Sequence, residues 1–309
     1  MMGGKYHMIS YEPFDLPAKL KLGAAASSTQ IEGGDTNNSW YEWSVTPGKI
    51  ADNTNTLRAA DHWNRYAEDT ELMARLGIRH YRLSIEWSRI EPAQGEYDQA
   101  ALERYRDELI LLRERGIEPL VTLHHFSNPL WFERSGAFNK RENIPVFLNY
   151  ISFIVKGLQD LCTQYVTINE PNVYAVLGYY YGTWPPGKSS VRQTIRVMRH
   201  LALCHIEAYR LIHRIYGDRP VKVGAAHQIR ILDPYAANPV NRFGIGLVSH
   251  IFQGQVIEAS MTGRFPFPLG SGAPLGRGNF YDFIGLNYYA RDRIHRFRQY
   301  LEPDCDANI

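Results

Sequence analysis

The chain has 309 residues, 44% of them hydrophobic and 21% charged, which is enough apolar sequence for one large core and argues against disorder. Its net charge is +2, with both signs scattered along the chain, so the basic stripe that nucleic acid demands is absent. No apolar run approaches the ~20 residues of a membrane-spanning helix, and the N-terminal MMGGKYHMISYEPFDLP lacks the apolar centre of a secretory signal. A cytoplasmic protein with no membrane association is the expectation. Cys162, Cys204 and Cys305 lie far apart without CxxC or Cys/His spacing, which fits free thiols in a reducing compartment. Aromatic residues make up 13% of the chain; they suit sugar stacking, and they suit a large core better.

In chain order, short apolar runs that read as strands fall at Leu20–Ala25, Ile78–Ser84, Pro119–Leu123, Tyr165–Ile168, Val221–Ala225 and Phe283–Leu286. Helical patterns separate them. Leu102, Tyr105, Leu109 and Leu112 recur at spacings of three and four, with Gly116 as the stop. Further helices are expected from about Ile144 to Leu161 and from Val191 to Ile215, and Asp61 is placed to cap a helix opening at His62. The stretches Thr183–Gly187 and Phe265–Gly278, rich in Pro and Gly, read as long loops after strands, and residues 1–309 read as one domain.

Strands alternating with helices of this length predict a parallel sheet. Polar and aromatic residues gather just past each apolar run: Gln30 and Glu32, Glu86 and Trp87, His124 and His125, Asn169 and Glu170, Asn287 to Tyr289. Functional residues at the C-terminal ends of successive parallel strands mark a (β/α)₈ TIM barrel. Six strands are counted where that barrel needs eight, so the expectation is an α/β barrel, incomplete by about two strand–helix units.

The segment Val166-Thr-Ile-Asn-Glu-Pro171 delivers Glu170 to the mouth of this sheet, where Pro171 forces the chain out of the strand. A carboxyl in an apolar mouth has its pKa raised by desolvation, which fits it to protonate a leaving group near neutral pH. The His124-His125 pair has no third ligand at a metal-binding spacing, so no metal and no cofactor are expected. Trp40, Trp43, Trp63 and Trp87 read as packing residues, and Gly33-Gly34-Asp35 as a turn, since the context of a phosphate-binding loop is missing.

Thr167-Ile-Asn-Glu-Pro171 resembles the acid/base motif of glycoside hydrolase family 1, the β-glucosidase family. Four other blocks resemble that family in order: Ser28-Thr-Gln-Ile-Glu-Gly33, Tyr81-Arg-Leu-Ser-Ile-Glu-Trp-Ser-Arg-Ile90, Thr122-Leu-His-His-Phe-Ser-Asn-Pro129 and Asp282-Phe-Ile-Gly-Leu-Asn-Tyr-Tyr289. The resemblance implies Glu170 as acid/base, Asn169 on the sugar's C2 hydroxyl, and Gln30 and His125 in the glycone site. It places Arg82 beneath that site, and has Asn287 and Tyr289 approach the nucleophile. Phe126 stands where the family usually has Trp.

The family's second catalytic carboxylate lies in a Thr-Glu-Asn-Gly-like block on the seventh strand, and no such block occurs in these 309 residues. Residues Leu301–Ile309 resemble neither that block nor a closing strand. Retaining hydrolysis needs two carboxyls about 5–5.5 Å apart, and neither Glu32 nor Glu86 is expected to face Glu170 across a sugar. The resemblance therefore implies a C-terminally truncated β-glycosidase for terminal β-linked sugars of small glycosides or oligosaccharides, with the nucleophile missing and little activity on its own. The alternative is a non-catalytic carbohydrate-binding pseudoenzyme or one half of a split glycosidase. Open barrel edges imply a complementary C-terminal fragment, self-association or aggregation.

Overall fold

The computed structural model describes residues 19–234 and 238–293, the backbone of 294–295 and 298–301, and the single positions Asp15, Pro17 and Ala236. Seven strands form one sheet in sequential order: β1 (Gly23–Ala25), β2 (His80–Ser84), β3 (Glu118–Thr122), β4 (Gln164–Asn169), β5 (Lys222–Pro234), β6 (Phe283–His295) and β7 (Arg298–Leu301). The first six pair in parallel, each with its sequence neighbour, as in the first six strands of a (β/α)₈ barrel. Among the described residues nothing pairs with the free edge of β1.

Several expectations are corrected in detail. β1 is half the expected length, and Leu20 and Leu22 before it are exposed. β5 and β6 run eight or more residues past the apolar cores that signalled them, rising as a paired ribbon above the barrel mouth. β7, unforeseen in the sequence, folds back antiparallel on β6 from Asp292 to His295. Among the described residues no strand pairs with the outer edge of β6 over 283–290. Residues 302–309, including Cys305, lie outside the described residues.

The core lies between the sheet and the helices on its outer face. In helix Gln99–Glu114, Leu102, Tyr105, Leu109 and Leu112 all face inward and are buried. Asp98 caps that helix by accepting from the backbone N–H groups of Ala100 and Ala101, and Gly116 follows it at φ +68°. Helix Ile144–Leu158 buries Phe147, Tyr150, Ile151 and Ile154 and packs on the long crossover helix Val191–Tyr216. Trp87 sits in this core, stacked on Tyr150 at 4.7 Å. Asp61 precedes helix His62–Arg75 but does not cap it: its left-handed backbone (φ 56°) turns the carboxylate away, and it accepts from the Asn64 side chain instead.

The join of β5 and β6, which carries Gln228, Arg230, Asn287 and Tyr289 of the cavity wall, depends on the lack of a side chain. A Cβ on Gly224 would stand 2.4 Å from the Phe283 carbonyl oxygen, so only glycine permits this pairing distance. Among the described residues no helix is long and apolar enough to cross a membrane, and no group of three or more His, Cys, Asp or Glu gathers as for a metal ion.

Candidate active site

At the C-terminal ends of the strands a cavity of ≈ 690 Å³ opens, and every sequence-predicted site residue lines it: Gln30, Arg82, His125, Phe126, Asn169, Glu170, Asn287 and Tyr289. They arrive from five separate segments, at the ends of β1, β2, β3 and β4 and along β6.

Asn169 is the hub. It ends β4 at an irregularity in the β4–β5 ladder, with its N–H donating to the His124 carbonyl. Its Oδ1 accepts from Arg82 Nη2 at 2.5 Å and from Asn287 Nδ2 at 3.0 Å, and its Nδ2 lies 3.2 Å from His125 Nε2. Donation from the amide makes that imidazole nitrogen the acceptor, so the ring proton sits on Nδ1. Burial pushes the His125 pKa down to about 3, assisted by the Arg82 charge, and the ring is neutral at ordinary pH. Arg82 is fixed a second time by Thr122, whose hydroxyl accepts from Nε at 2.9 Å.

Glu170 follows in a left-handed conformation (φ 44°, ψ 62°), held by its own N–H to the Ala226 carbonyl at 2.7 Å. Phe126 is also left-handed, at φ 69°. A non-glycine residue there costs about 1–3 kcal/mol, a strain that persists where surrounding contacts over-determine the backbone. Glu170 is 4% exposed, and burial raises its pKa above the ordinary carboxylate value. Asn287 Nδ2 at 2.6 Å, the Arg82 charge and the Tyr289 hydroxyl oppose that rise without cancelling it. The result is a carboxyl that holds its proton further toward neutrality than a surface glutamate, in a cavity open to a ligand. Asn287 and Tyr289 therefore reach the expected acid/base, whereas the family resemblance has them approach a nucleophile.

Glu32 and Glu86 do not line the cavity. Glu32 accepts from Arg89 and Tyr105, and Glu86 from Ser28, Thr29 and Ser88, so both belong to a buried network beside it. His124 is likewise a packing residue, bonded to Asn128 and ringed by Phe138, Phe147 and Tyr174. Glu170 is the one carboxylate on the cavity among the described residues.

Sequence reasoning missed the upper wall. Val173, Val176, Leu177 and Tyr181 come from the short helix and π-helical turn after β4, and Trp184 from the Thr183–Gly187 loop. Trp184 meets the edges of Phe126 at 4.9 Å and Trp40 at 5.1 Å. Gln228 and Arg230 stand on β5 beyond its apolar run; period-two alternation would have marked both had the strand been carried on to Pro234.

A half-open parallel barrel with a buried proton-holding glutamate among amides, an imidazole and aromatic walls has the make-up of a glycoside hydrolase site. The chain belongs to glycosyl hydrolase family 1, whose model matches residues 13–272. It is similar to Beta-glucosidase A of Acetivibrio thermocellus, 35% identical over 213 residues that make up 67% of this chain and 48% of the relative. Beta-glucosidase A of Thermotoga maritima is 28% identical over 312 residues, 95% of this chain and 68% of that one. Among solved structures, the β-glycosidase from Pyrococcus horikoshii superposes with a TM-score of 0.82 at 33% identity, covering 91% of this chain and 64% of its own. The Thermotoga maritima β-glucosidase in complex with glucoimidazole also gives 0.82, at 27% identity, with 90% and 67% covered. The chain thus spans about half to two thirds of the length of the curated relatives it matches.

Proposed function

We propose that this chain forms the glycone-binding and proton-donating part of a β-glucosidase-like retaining β-glycosidase acting on small glycosides or oligosaccharides, with the attacking carboxylate supplied by polypeptide outside these 309 residues. The observation that carries the reading is Glu170: a buried carboxyl with a raised pKa, alone on an open cavity and held by Asn287. In this reading Glu170 protonates the glycosidic oxygen as the bond to the anomeric carbon breaks, and later takes a proton from the incoming water. Asn169, tethered to Arg82 and His125, presents its amide to the C2 hydroxyl. Neutral His125 and Gln30 take further glycone hydroxyls, and Phe126 with Trp184 walls the ring. Gln30 is oriented for this by Ser27, which donates to its Oε1 at 2.8 Å. The complex of the Thermotoga maritima neighbour with deoxynojirimycin supports a monosaccharide-sized glycone site.

The missing partner has a place to dock. The edges of β1 and β6, to which no further strand pairs among the described residues, suit two further strands from a complementary segment, or from another copy of the chain. Unbridged, buried Cys162 and Cys204 support a reducing cytoplasmic compartment.

Azide tests the reading directly. With 2,4-dinitrophenyl β-glucoside the pure chain should turn over far below ordinary enzyme rates of about 1 s⁻¹ or more. Azide entering the space opposite Glu170 should then attack the anomeric carbon: a C–N bond forms, the C–O bond breaks and the phenolate leaves. The product is the inverted α-glucosyl azide. Ordinary turnover without azide would mean that another carboxylate of this chain serves. If neither azide nor a complementary C-terminal segment restores turnover while deoxynojirimycin still binds, the pseudoenzyme alternative displaces the proposal.

A further inference from the structure

We infer that Arg230 makes the outer part of this cavity a receptor for an aromatic aglycone carrying an anionic group, a preference that rests on the glycosidase reading above. The first argument is position. The Glu170 N–H bonds the Ala226 carbonyl, so Ala226 marks the level of proton transfer on β5. Arg230 lies four residues further toward the mouth, about 13 Å at the rise of a strand, and it still lines the cavity. A group at that height stands beyond the scissile oxygen, on the side of the departing group.

The second argument is construction, because two features fix the backbone of this residue and a third holds its side chain. The β5–β6 register slips at this point, with Ile229 opposite Tyr288 but Ile231 opposite Arg291, so Arg230 faces two residues of β6. Such bulges re-aim a side chain and are frequent beside active sites. Gln253 then replaces the interrupted ladder: its Oε1 accepts from the Arg230 N–H at 2.9 Å, and its Nε2 donates to the Arg230 carbonyl at 3.2 Å. Gln253 comes from a π-helical turn, His250–Gly254, a geometry itself common at functional sites. Behind the guanidinium, Nη1 donates to fully buried Asp292 at 3.0 Å.

The third argument is what remains unsatisfied. Asp292 engages only Nη1 of a five-donor fork, and Arg230 Nη2 makes no hydrogen bond among the described residues. A planar carboxylate satisfies such a fork in a way that a sugar hydroxyl does not. The neighbouring wall is aromatic: Phe252 lies 5.7 Å from the guanidinium carbon, and Tyr181 and Trp184 also line the cavity. An aryl ring would therefore rest on these faces with its acidic substituent on Arg230.

Calorimetry on the 309-residue chain tests this without requiring turnover. The probes are the non-hydrolysable 4-carboxyphenyl 1-thio-β-glucoside, its methyl ester and deoxynojirimycin. The carboxylate should bind about tenfold or more tighter than the ester, with the gap shrinking as salt is raised. In Arg230→Met that gap should vanish. Because Arg230→Met removes a cation from buried Asp292, the paired neutral change R230Q/D292N serves as the folded control, and it too should lose the gap. Equal affinities for acid and ester in the wild-type chain, or a gap that survives R230Q/D292N, overturns the role of Arg230 while leaving the glycosidase reading intact. Failure of deoxynojirimycin and both glucosides to bind overturns the glycosidase reading itself.

Discussion

The outer face of β6 offers the most direct quantitative test of the open-barrel fold. Ile284, Leu286 and Tyr288 alternate along its exposed side at 46%, 64% and 54% exposure, so roughly half of each side chain remains in water. Full burial of a large apolar side chain is worth about 1.5–3 kcal/mol, which leaves roughly 2–5 kcal/mol available from this row. The outer edge of β6 over 283–290, with which no strand pairs among the described residues, adds a strand-pairing template beside it. The wild-type chain should therefore self-associate at micromolar concentration in sedimentation velocity. Replacing Ile284 and Leu286 together by Lys removes about two thirds of that apolar gain and sets like charges against one another in any symmetric pairing. Dissociation should become about a hundredfold easier, since each ~1.4 kcal/mol is a factor of ten. Both positions already face solvent, so far-ultraviolet circular dichroism should not change. A wild-type chain that sediments as a monomer with cooperative unfolding at ~100 μM, or a double-Lys variant that associates equally well, refutes the reasoning.

The monomeric I284K/L286K background then allows three further measurements. Asn169→Ala takes an acceptor from half-buried Arg82 and should cost about 1.5–3 kcal/mol, read as a lower urea midpoint at unchanged m-value; a loss below ~0.5 kcal/mol would remove Asn169 as the hub. Glu32 has its pKa raised to about 7 by burial, against the opposing Arg89 charge. Its stabilising contribution is complete below pH ~4.5, where folded and unfolded chains both hold the proton, and is lost as pH rises toward about 7, by at most ~3 kcal/mol. Glu32→Gln should flatten the stability–pH curve in that window, and an unchanged slope sinks the assignment. With phenyl β-glucoside, whose poorer leaving oxygen needs the Glu170 proton, azide-supported turnover should fall as pH rises through the raised Glu170 pKa. Asn287→Ala, which removes a donor favouring the ionised form, should move that fall to higher pH, and a move to lower pH contradicts the geometry.

Much of the fold was legible because its signals are local. The apolar cores of six strands and the three- and four-residue spacing of Leu102, Tyr105, Leu109 and Leu112 report burial that neighbouring residues share. The inner site was legible for a related reason: Gln30, Arg82, His125, Asn169, Glu170 and Asn287 each stand next to a strand core whose direction fixes where they go. Partially exposed ribbon was not legible. β5 and β6 continue through Gln228-Ile-Arg230 and Asn287-Tyr-Tyr289, where one face meets the cavity and the other meets water, so no apolar run marks them. β7 is held by pairing with β6, which no local pattern announces. Asp61 shows the limit at one residue: its type suits a cap, yet its φ of 56° excludes the geometry, and composition does not encode φ.

β6 binds these threads into one physical argument. Its inward residues Asn287 and Tyr289 hold Glu170, while its outward residues Ile284, Leu286 and Tyr288 lie bare. Anything that pairs on the β6 edge therefore touches the strand that sets the protonation of the acid. A segment docking there would bury that row, fix the positions of Asn287 and Tyr289, and exclude water from the cavity. Exclusion of water strengthens desolvation, already the largest influence on Glu170, and a carboxylate arriving with the segment would push in the same direction by like-charge repulsion. Docking and acid strength are thus coupled through one strand. The titration of Glu170, followed by NMR in this chain and again in complex with a complementary C-terminal segment, should move upward on assembly. A downward move would mean that Arg82 gains on the carboxylate instead of losing ground to desolvation, and would break the coupling.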